Sequence, residues 1–454
     1  MKTMIKRKKS TIYLSQVILT LAISSQQVVA QNIETKEEVK KEEVKDEKKE
    51  SGKLNASDKS TAAIKYRRSS LHTMIIEDDK LPKKELILST FLGAEFPDKY
   101  NDHTTGDKSF NIAKYQIQTD TATTKADEKD HSPEIIKYFE ESKLANKMVA
   151  KWFNRKENGA FDMTLIQERG MYDASAQDVQ LAASSSRGDA ALADAGEELL
   201  RSTFVVVSYS KFVSNEAAAL AIKETAILAA SKLGAMLQEV AIKAAEKAYE
   251  KARQGYSVWT TAYLFQLNWN DSTSAVFYQN YWMDDKSVDP IKKAAFDTSS
   301  LFKLELLGFQ KTSSLISGLG KNADSETNII KNATLKSIDA VYAKLQRKFE
   351  KFRTKTPLVS AEPIAAKIGL KEGLEAGDKY EVMEQTSDEL GKIVYKRKGI
   401  ITVEKNKIMD NRYRKGQEPL DEEGNPVKPD NEFEYTTFKG GKGYYAGMLI
   451  RQIN

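Results

Sequence analysis

Apolar residues fall into runs of three kinds along this chain, and the spacing within each run predicts its element. Residues 71–76 (LHTMII) and 86–91 (LILSTF) are short apolar runs on either side of the turn-like EDDKLPKK, which predicts two strands. Residues 98–129 are polar and rich in Thr and Asp, and read as a long loop. After the turn Asn158-Gly159, residues 161–166 (FDMTLI) are again strand-like. Residues 203–207 (TFVVV) are continuously apolar and β-branched, as in a strand buried on both faces of a helix-covered sheet. Residues 257–269 and 274–282 read as a hairpin turning at Asn270-Asp271, with residues 302–309 as one more strand.

Helical spacing fills the intervals. Ser132-Pro133-Glu134 combines a hydroxyl cap, an early proline and an early acid, and the residues after it place Ile135, Tyr138, Phe139, Leu144, Met148 and Trp152 on or near one face. Ser175-x-x-Asp178 resembles a capping box opening an Ala-rich helix, punctuated at Arg187-Gly188 and resumed over 190–200. Residues 215–254 form an unusually long helical pattern ended by Gly255. A surface or core helix is its simplest use, and insertion into a membrane interface is the sharper alternative. Residues 328–355 set Leu335, Ile338, Tyr342, Leu345, Phe349 and Phe352 at steps of three and four, one apolar stripe ending in basic turns. The stripe serves packing within its own domain or an oligomer seam, and Thr356-Pro357 then marks a boundary.

From residue 358 the texture changes to short strands and glycine turns, at 380–383, 393–395, 400–403, 434–438 and 444–450, with a long polar loop over 414–431. Close-spaced short strands predict a small barrel. At the other end, Lys2, Lys6, Arg7, Lys8 and Lys9 precede an apolar stretch at 12–23, and Val28-Val29-Ala30 supplies small residues. That is the layout of a secretory signal peptide cleaved after Ala30. Residues 32–60 are charged and repetitive, too poor in apolar surface to offset ordering entropy, and read as a disordered tether. The expected organisation is a signal peptide over 1–30, a charged linker over 31–65, α/β layering over 66–356, and a small SH3-like β-barrel over 357–454. The fold class is α+β.

Charge then narrows the partners. The formal net charge is +5, but the basic leader accounts for it, so the exported remainder is close to neutral. The barrel region carries sixteen Lys and Arg against seventeen Asp and Glu, without the basic groove of a nucleic-acid binder, so no nucleic-acid partner is expected. The chain has no cysteine, which removes disulfides, thiolate metal sites, Cys nucleophiles and a lipidated N-terminus.

Candidate chemistry is sparse. His72, His103 and His131 are far apart in sequence, and the alternation of His72 with Met74 and Ile76 predicts a packed strand histidine. Asp284-Asp285 follows the aromatic residues Tyr278, Tyr281 and Trp282, a combination that could edge a sugar-binding face. The glycine-rich segment 438–443 lacks the spacing of a phosphate cradle and reads as a tight hairpin turn. No catalytic constellation, cofactor site or metal site emerges.

Two stretches carry a family resemblance. Residues 161–170 (FDMTLIQERG), with Ala193, Ala195 and Gly196 before residues 204–207, resemble the α/β domain shared by curli-secretion lipoproteins and the N-terminal module of TolB-type proteins. Gly373, Gly377, Asp378, Tyr380 and Val382 resemble the start of the SH3-like barrel that ends flagellar assembly proteins of the FlgT family. The resemblance implies an envelope assembly or scaffolding role. The lipidated cysteine of the curli-secretion family is absent. The expectation is therefore a non-enzymatic exported protein of the periplasm or outer membrane that binds other envelope proteins, with peripheral membrane contact as a further partner. Its binding residues would come from Leu335, Tyr342, Phe349 and Phe352 on the stripe, and from Tyr278 and Trp282. A carbohydrate-binding or carbohydrate-active surface protein is the alternative.

Overall fold

The computed structural model describes residues 69–117, 129–172, 198–231, 235–253, 255–316, 326–387, 393–412 and 433–453. The leader, the charged linker, the segment containing Ser175 to Gly196 and the polar loop 414–431 lie outside them. A mixed sheet covered on both faces by helices is followed by a closed six-stranded antiparallel barrel, an α+β architecture.

The sheet orders five strands as β2 (Asn101–Asp102), β1 (Ser70–Glu77), β4 (Thr203–Ser214), β5 (Tyr256–Leu267) and β6 (Leu304–Ile316), with β3 (Ser109–Asn111) also paired to β1. β1 runs parallel to β4, and β4, β5 and β6 are antiparallel. The apolar run at 203–207 lies where its composition places it, in the middle of the sheet and buried on both faces. One face packs Met74, Val205, Val207 and Phe265 under α2 (Ser132–Ser142), α3 (Leu144–Trp152), α7 (Asp271–Asn280) and α8 (Pro290–Thr298). The other packs Leu71, Ile75, Val206 and Val258 under α1 (Lys84–Leu92) and α9 (Glu326–Lys348).

Three expected strands are helices. Residues 86–91 belong to α1, where Ile87, Leu88 and Phe91 share one buried face at helical spacing and the Thr90 hydroxyl bonds the Leu86 carbonyl at 2.6 Å. Residues 161–166 lead into α4 (Thr164–Tyr172), because the Asp162 carboxylate accepts the Thr164 N–H at 3.0 Å and opens a helix. Glu168, Arg169 and Gly170 therefore sit on this helix. Residues 274–282 are not the return strand of a hairpin. Asn270 caps α7, its side chain accepting the Thr273 N–H at 2.9 Å, and β5 pairs instead with β4 and β6. The expected loop at 98–129 also contains β2, β3 and a short 3-10 turn at Ile112–Tyr115. The long helical pattern 215–254 is two helices, α5 (Glu216–Ala230) and α6 (Ala235–Ala252).

The barrel closes as β10 (Ile393–Val403), β11 (Thr436–Gly440), β8 (Ile364–Ala366), β7 (Thr356–Ala361), β12 (Leu449–Ile453) and β9 (Lys379–Ser387). Leu358, Val382, Ile401, Phe438 and Ile450 fill its interior. Thr356-Pro357 is the start of β7, and α9 ends at Lys348, seven residues before the end of the expected helix 328–355, followed by a 3-10 turn at Glu350–Phe352. β11 and β12 are not neighbours, so the glycine-rich segment between them crosses the barrel end and is not a hairpin turn.

The helix-covered face around α7 is a mesh of rings. Phe277 is fully buried between Phe153, at 4.5 Å, and Trp269, at 5.5 Å. Phe277→Ala is expected to lower stability by about 3–5 kcal/mol. Trp259→Ala, on a strand face where the ring is 48% exposed, should change it by less than ~0.5 kcal/mol. Urea denaturation of the two variants reads the contrast.

Candidate functional site

The barrel is joined to the sheet layer through the C-terminal end of α9. The last carbonyls of a helix have no partners within it and must find them elsewhere. Arg353, itself buried, supplies three donors: Nε to the Gln346 carbonyl at 3.2 Å, Nη2 to the Arg347 carbonyl at 2.8 Å, and Nη1 to the Gln452 carbonyl of β12 at 3.3 Å. One guanidinium thus caps the helix and ties it to the barrel. Arg347 makes a second tie, donating to the Gly373 carbonyl at 2.6 Å and pairing with Asp378 at 2.8 Å. Gly373 has φ +77, and a Cβ there would stand 3.0 Å from the Ala343 Cβ, so glycine meets both the turn and the close approach to α9. From the sheet side, the Tyr100 hydroxyl donates to the Phe352 carbonyl at 2.9 Å and Lys99 Nζ to the Lys367 carbonyl at 2.8 Å.

These ties leave a cavity of about 280 Å³ between α9, the segment after α1, and the 3-10 turn Leu370–Glu372 of the barrel. Phe91, Phe96, Ile338 and Tyr342 form apolar walls, while Lys99, Lys371, Asp98 and Asp339 bring both signs of charge. Lys371 and Asp339 stand 4.0 Å apart across α9 and the barrel turn. Tyr342 is 5% exposed, and no hydrogen bond reaches its hydroxyl among the described residues; burial pushes its ionisation far above the ordinary tyrosine range. Glu372 lies in the same wall. Burial raises its carboxyl, and the Gly369 N–H and the Asn411 amide, at 2.8 and 2.9 Å, hold it in place as a positioning group. At its mouth Leu92 is 42% exposed.

The residues singled out in the sequence separate into two groups. Tyr342 lines the cavity. Phe352 is fully buried, stacked on Tyr100 at 5.0 Å. Phe349 is half-buried against Gly308, whose φ of +144 lets the ring approach where a Cβ would meet Phe349 Cζ at 2.7 Å. Leu335 is half-buried. Tyr278 and Trp282 pack against the core around Phe153 and Phe161, Trp282 lying 6.0 Å from Phe161, face to face. Asp284 and Asp285 are exposed on the following loop, where Asp285 pairs with Lys156 and Asp284 with Ser287. Of the rings a sugar platform would need, Trp269 is buried and Trp282 half-buried, and Trp259 lies on the sheet rather than beside the two acids. Ile338 on the same stripe and Phe91 in the apolar run 86–91 also line it, whereas Phe96, Asp98, Lys99 and Lys371 come from segments with no local sequence signal.

His72 and His103 are buried within the sheet module. His103 is buried, stacked on Trp152 at 4.8 Å. Arginine can only donate, so the Arg169 contact at 3.0 Å makes His103 Nδ1 the acceptor and leaves Nε2 to donate to the Met148 carbonyl at 2.9 Å. His72 lies in β1 with both ring nitrogens unpartnered. Burial lowers its pKa to about 4, offset only in part by the nearby Asp107 backbone. Among the described residues, no group of three or more metal-ligating side chains is placed to hold an ion. No protein-family model matches the chain, and comparison with curated proteins finds no match.

Two outcomes follow from this geometry. Arg353→Met should cost about 2–4 kcal/mol, since it strands buried carbonyls as well as removing charged hydrogen bonds; urea denaturation measures it. His72 is neutral in the fold and protonates near 6.5 when unfolded, so the unfolded state binds the extra proton as pH falls. Stability is full above pH 6.5 and declines toward pH 4, by about 3 kcal/mol across that window. His72→Leu should flatten this part of the stability–pH profile.

Proposed function

We propose that this chain is a non-enzymatic exported protein of the cell envelope, an assembly or scaffolding factor that binds other envelope proteins in the periplasm or at the outer membrane. The observation that carries the reading is the cavity where the two modules meet. Its apolar walls end at exposed Leu92, its rim offers Lys99 and Lys371 against Asp98 and Asp339, and the Tyr342 ring lines it. Such a cleft suits a short segment of a partner protein that places an apolar side chain against Phe96 and Ile338 and a charged group at the rim. Clefts at domain junctions are common binding places, and this one is held in shape by Arg347 and Arg353.

The signal-peptide pattern supports export. The closed barrel is compatible with an SH3-like barrel, and its position after a helix-covered sheet agrees with the module order of FlgT-family proteins. The TolB-like and curli-secretion-like identity of the sheet module remains part of this proposal, supported by the buried β4 and weakened by the helical placement of residues 164–170.

Pull-down from crosslinked envelopes tests it. The chain should recover the same protein partner reproducibly, and Leu92→Glu combined with Lys371→Glu should reduce that recovery more than tenfold with the urea midpoint unchanged. Recovery of no reproducible partner sinks the function, and equal recovery by the double variant sinks the site.

A further inference from the structure

The link from α9 into the barrel is rich in cations. Within residues 350–355 (EKFRTK), Lys351, Arg353 and Lys355 line a second cavity of about 240 Å³, together with Lys99 from the segment after α1 and Arg451 of β12. Two carboxylates, Glu198 and Glu350, share the lining with these five cations. Its walls come from both modules: Ser69 precedes β1, Ser202 precedes β4, and Arg451 belongs to the barrel.

How each cation is held decides what it can still bind. The Arg353 guanidinium is buried, and its bonds to the Gln346, Arg347 and Gln452 carbonyls fix it through neutral acceptors. Lys351 Nζ reaches the Gln266 amide oxygen at 3.4 Å, and no carboxylate among the described residues pairs with it. Lys355 Nζ stands 3.6 Å from the centre of the Tyr395 ring, a contact that orients the ammonium and leaves its charge whole. Lys99 and Arg451 do meet acids outside the lining, Asp98 at 3.6 Å and Glu381 at 2.7 Å. Glu350 is drawn to Arg451 at 3.7 Å. With those outer acids counted the cavity is still positive. Three hydroxyls complete it, on Ser69, Ser202 and Thr354, and none is hydrogen-bonded to another described residue.

This donor set discriminates among ligands. No apolar side chain lines the cavity, so an uncharged apolar group gains nothing there. A carboxylate has a single charge and two oxygens, and leaves most of the donors unanswered. A phosphoryl group has about two negative charges and three strong acceptor oxygens. It suits a fixed guanidinium surrounded by mobile ammonium groups and hydroxyls.

We infer that this cavity binds a phosphoryl group, carried by a soluble phosphorylated molecule or by a lipid headgroup, and that the bound group bridges the sheet module and the barrel. The inference stands apart from the protein partner of the junction cavity. Lys99 borders both spaces, whereas Lys351, Lys355, Ser69 and Ser202 line only this one.

Calorimetric titration of the full chain with inorganic pyrophosphate, at constant ionic strength, tests it. Pyrophosphate should bind at one site, and acetate at least ~10-fold more weakly. Lys351→Glu removes one charge-assisted hydrogen bond and adds a repulsion, so it should weaken pyrophosphate binding by ~10-fold or more. Lys351 is exposed, so the urea midpoint without ligand should not move. Lys355→Gln, which keeps a long polar side chain, should weaken binding in the same direction. Absence of binding overturns the inference. Equal affinity for acetate overturns it too, and so does equal pyrophosphate binding by the wild type and both variants, which assigns the anion to general surface charge. Vesicles of phosphatidylcholine with phosphatidic acid separate the two sources. Co-sedimentation that pyrophosphate competes away and Lys351→Glu abolishes supports the lipid headgroup. Pyrophosphate binding without co-sedimentation supports the soluble ligand.

Discussion

The architecture depends on where the carbonyls at the end of α9 find their donors. α9 walls one face of the sheet through Val341 and Leu345 and carries Tyr342 and Gln346 to the cavity. A helix with that much of its length buried cannot leave its last turn unsatisfied. Arg353 reaches back to Gln346 and Arg347 and outward to Gln452, so capping the helix and positioning the barrel are one interaction. The cavity exists because of that coupling: it is the space that remains when a helix is held against two modules by polar ties at its end while ordinary side-chain packing fills the rest.

The parts of this fold that were legible in the sequence are those whose pattern has a single reading. A continuous β-branched run at 203–207 fits a central strand. Steps of three and four over 328–355 fit a helix, which the structure ends at Lys348, and close-spaced short strands after 358 fit a barrel. The misread segments share a cause. A short apolar run fits a strand or one buried helix face equally well, and Asp162 and Asn270 each make the local side-chain-to-backbone bond that serves a turn or a helix cap alike. At Asn270 the turn reading yielded a hairpin and the cap reading a helix. Only the sheet partners available to β5, already taken by β4 and β6, decide between them.

The site was less legible for a different reason. Tyr342 stood out by its place on a stripe, but the same stripe includes Phe352, whose ring is spent on Tyr100 and Phe204. Periodicity identifies the apolar face and cannot say which member borders a void. Phe96, Lys99 and Lys371 are some 240 residues or more from Tyr342, or lie beyond a domain boundary, and meet it only through the barrel's placement. That information resides in Arg353 and Arg347, which in sequence look like ordinary basic residues at a helix end.

The helical hairpin α5–α6 between β4 and β5 poses the opposite problem. Nothing in the rest of the fold requires it: the strands are in register without it, and its buried alanines, Ala219, Ala230 and Ala245, bury little. Elsewhere the chain keeps its large apolar residues inside, with whole rings such as Phe277 and Phe352 at zero exposure. A sequence under that constraint in its core, and free of it over 216–240, is not short of polar residues for this segment, since Glu and Lys crowd the base of the same helices. Charge is densest where the two helices leave the sheet, and Lys232 and Glu239 are the ionised residues between Ala226 and Ile242. Exposure of several leucines to water carries a free-energy cost of roughly 1.5–3 kcal/mol each.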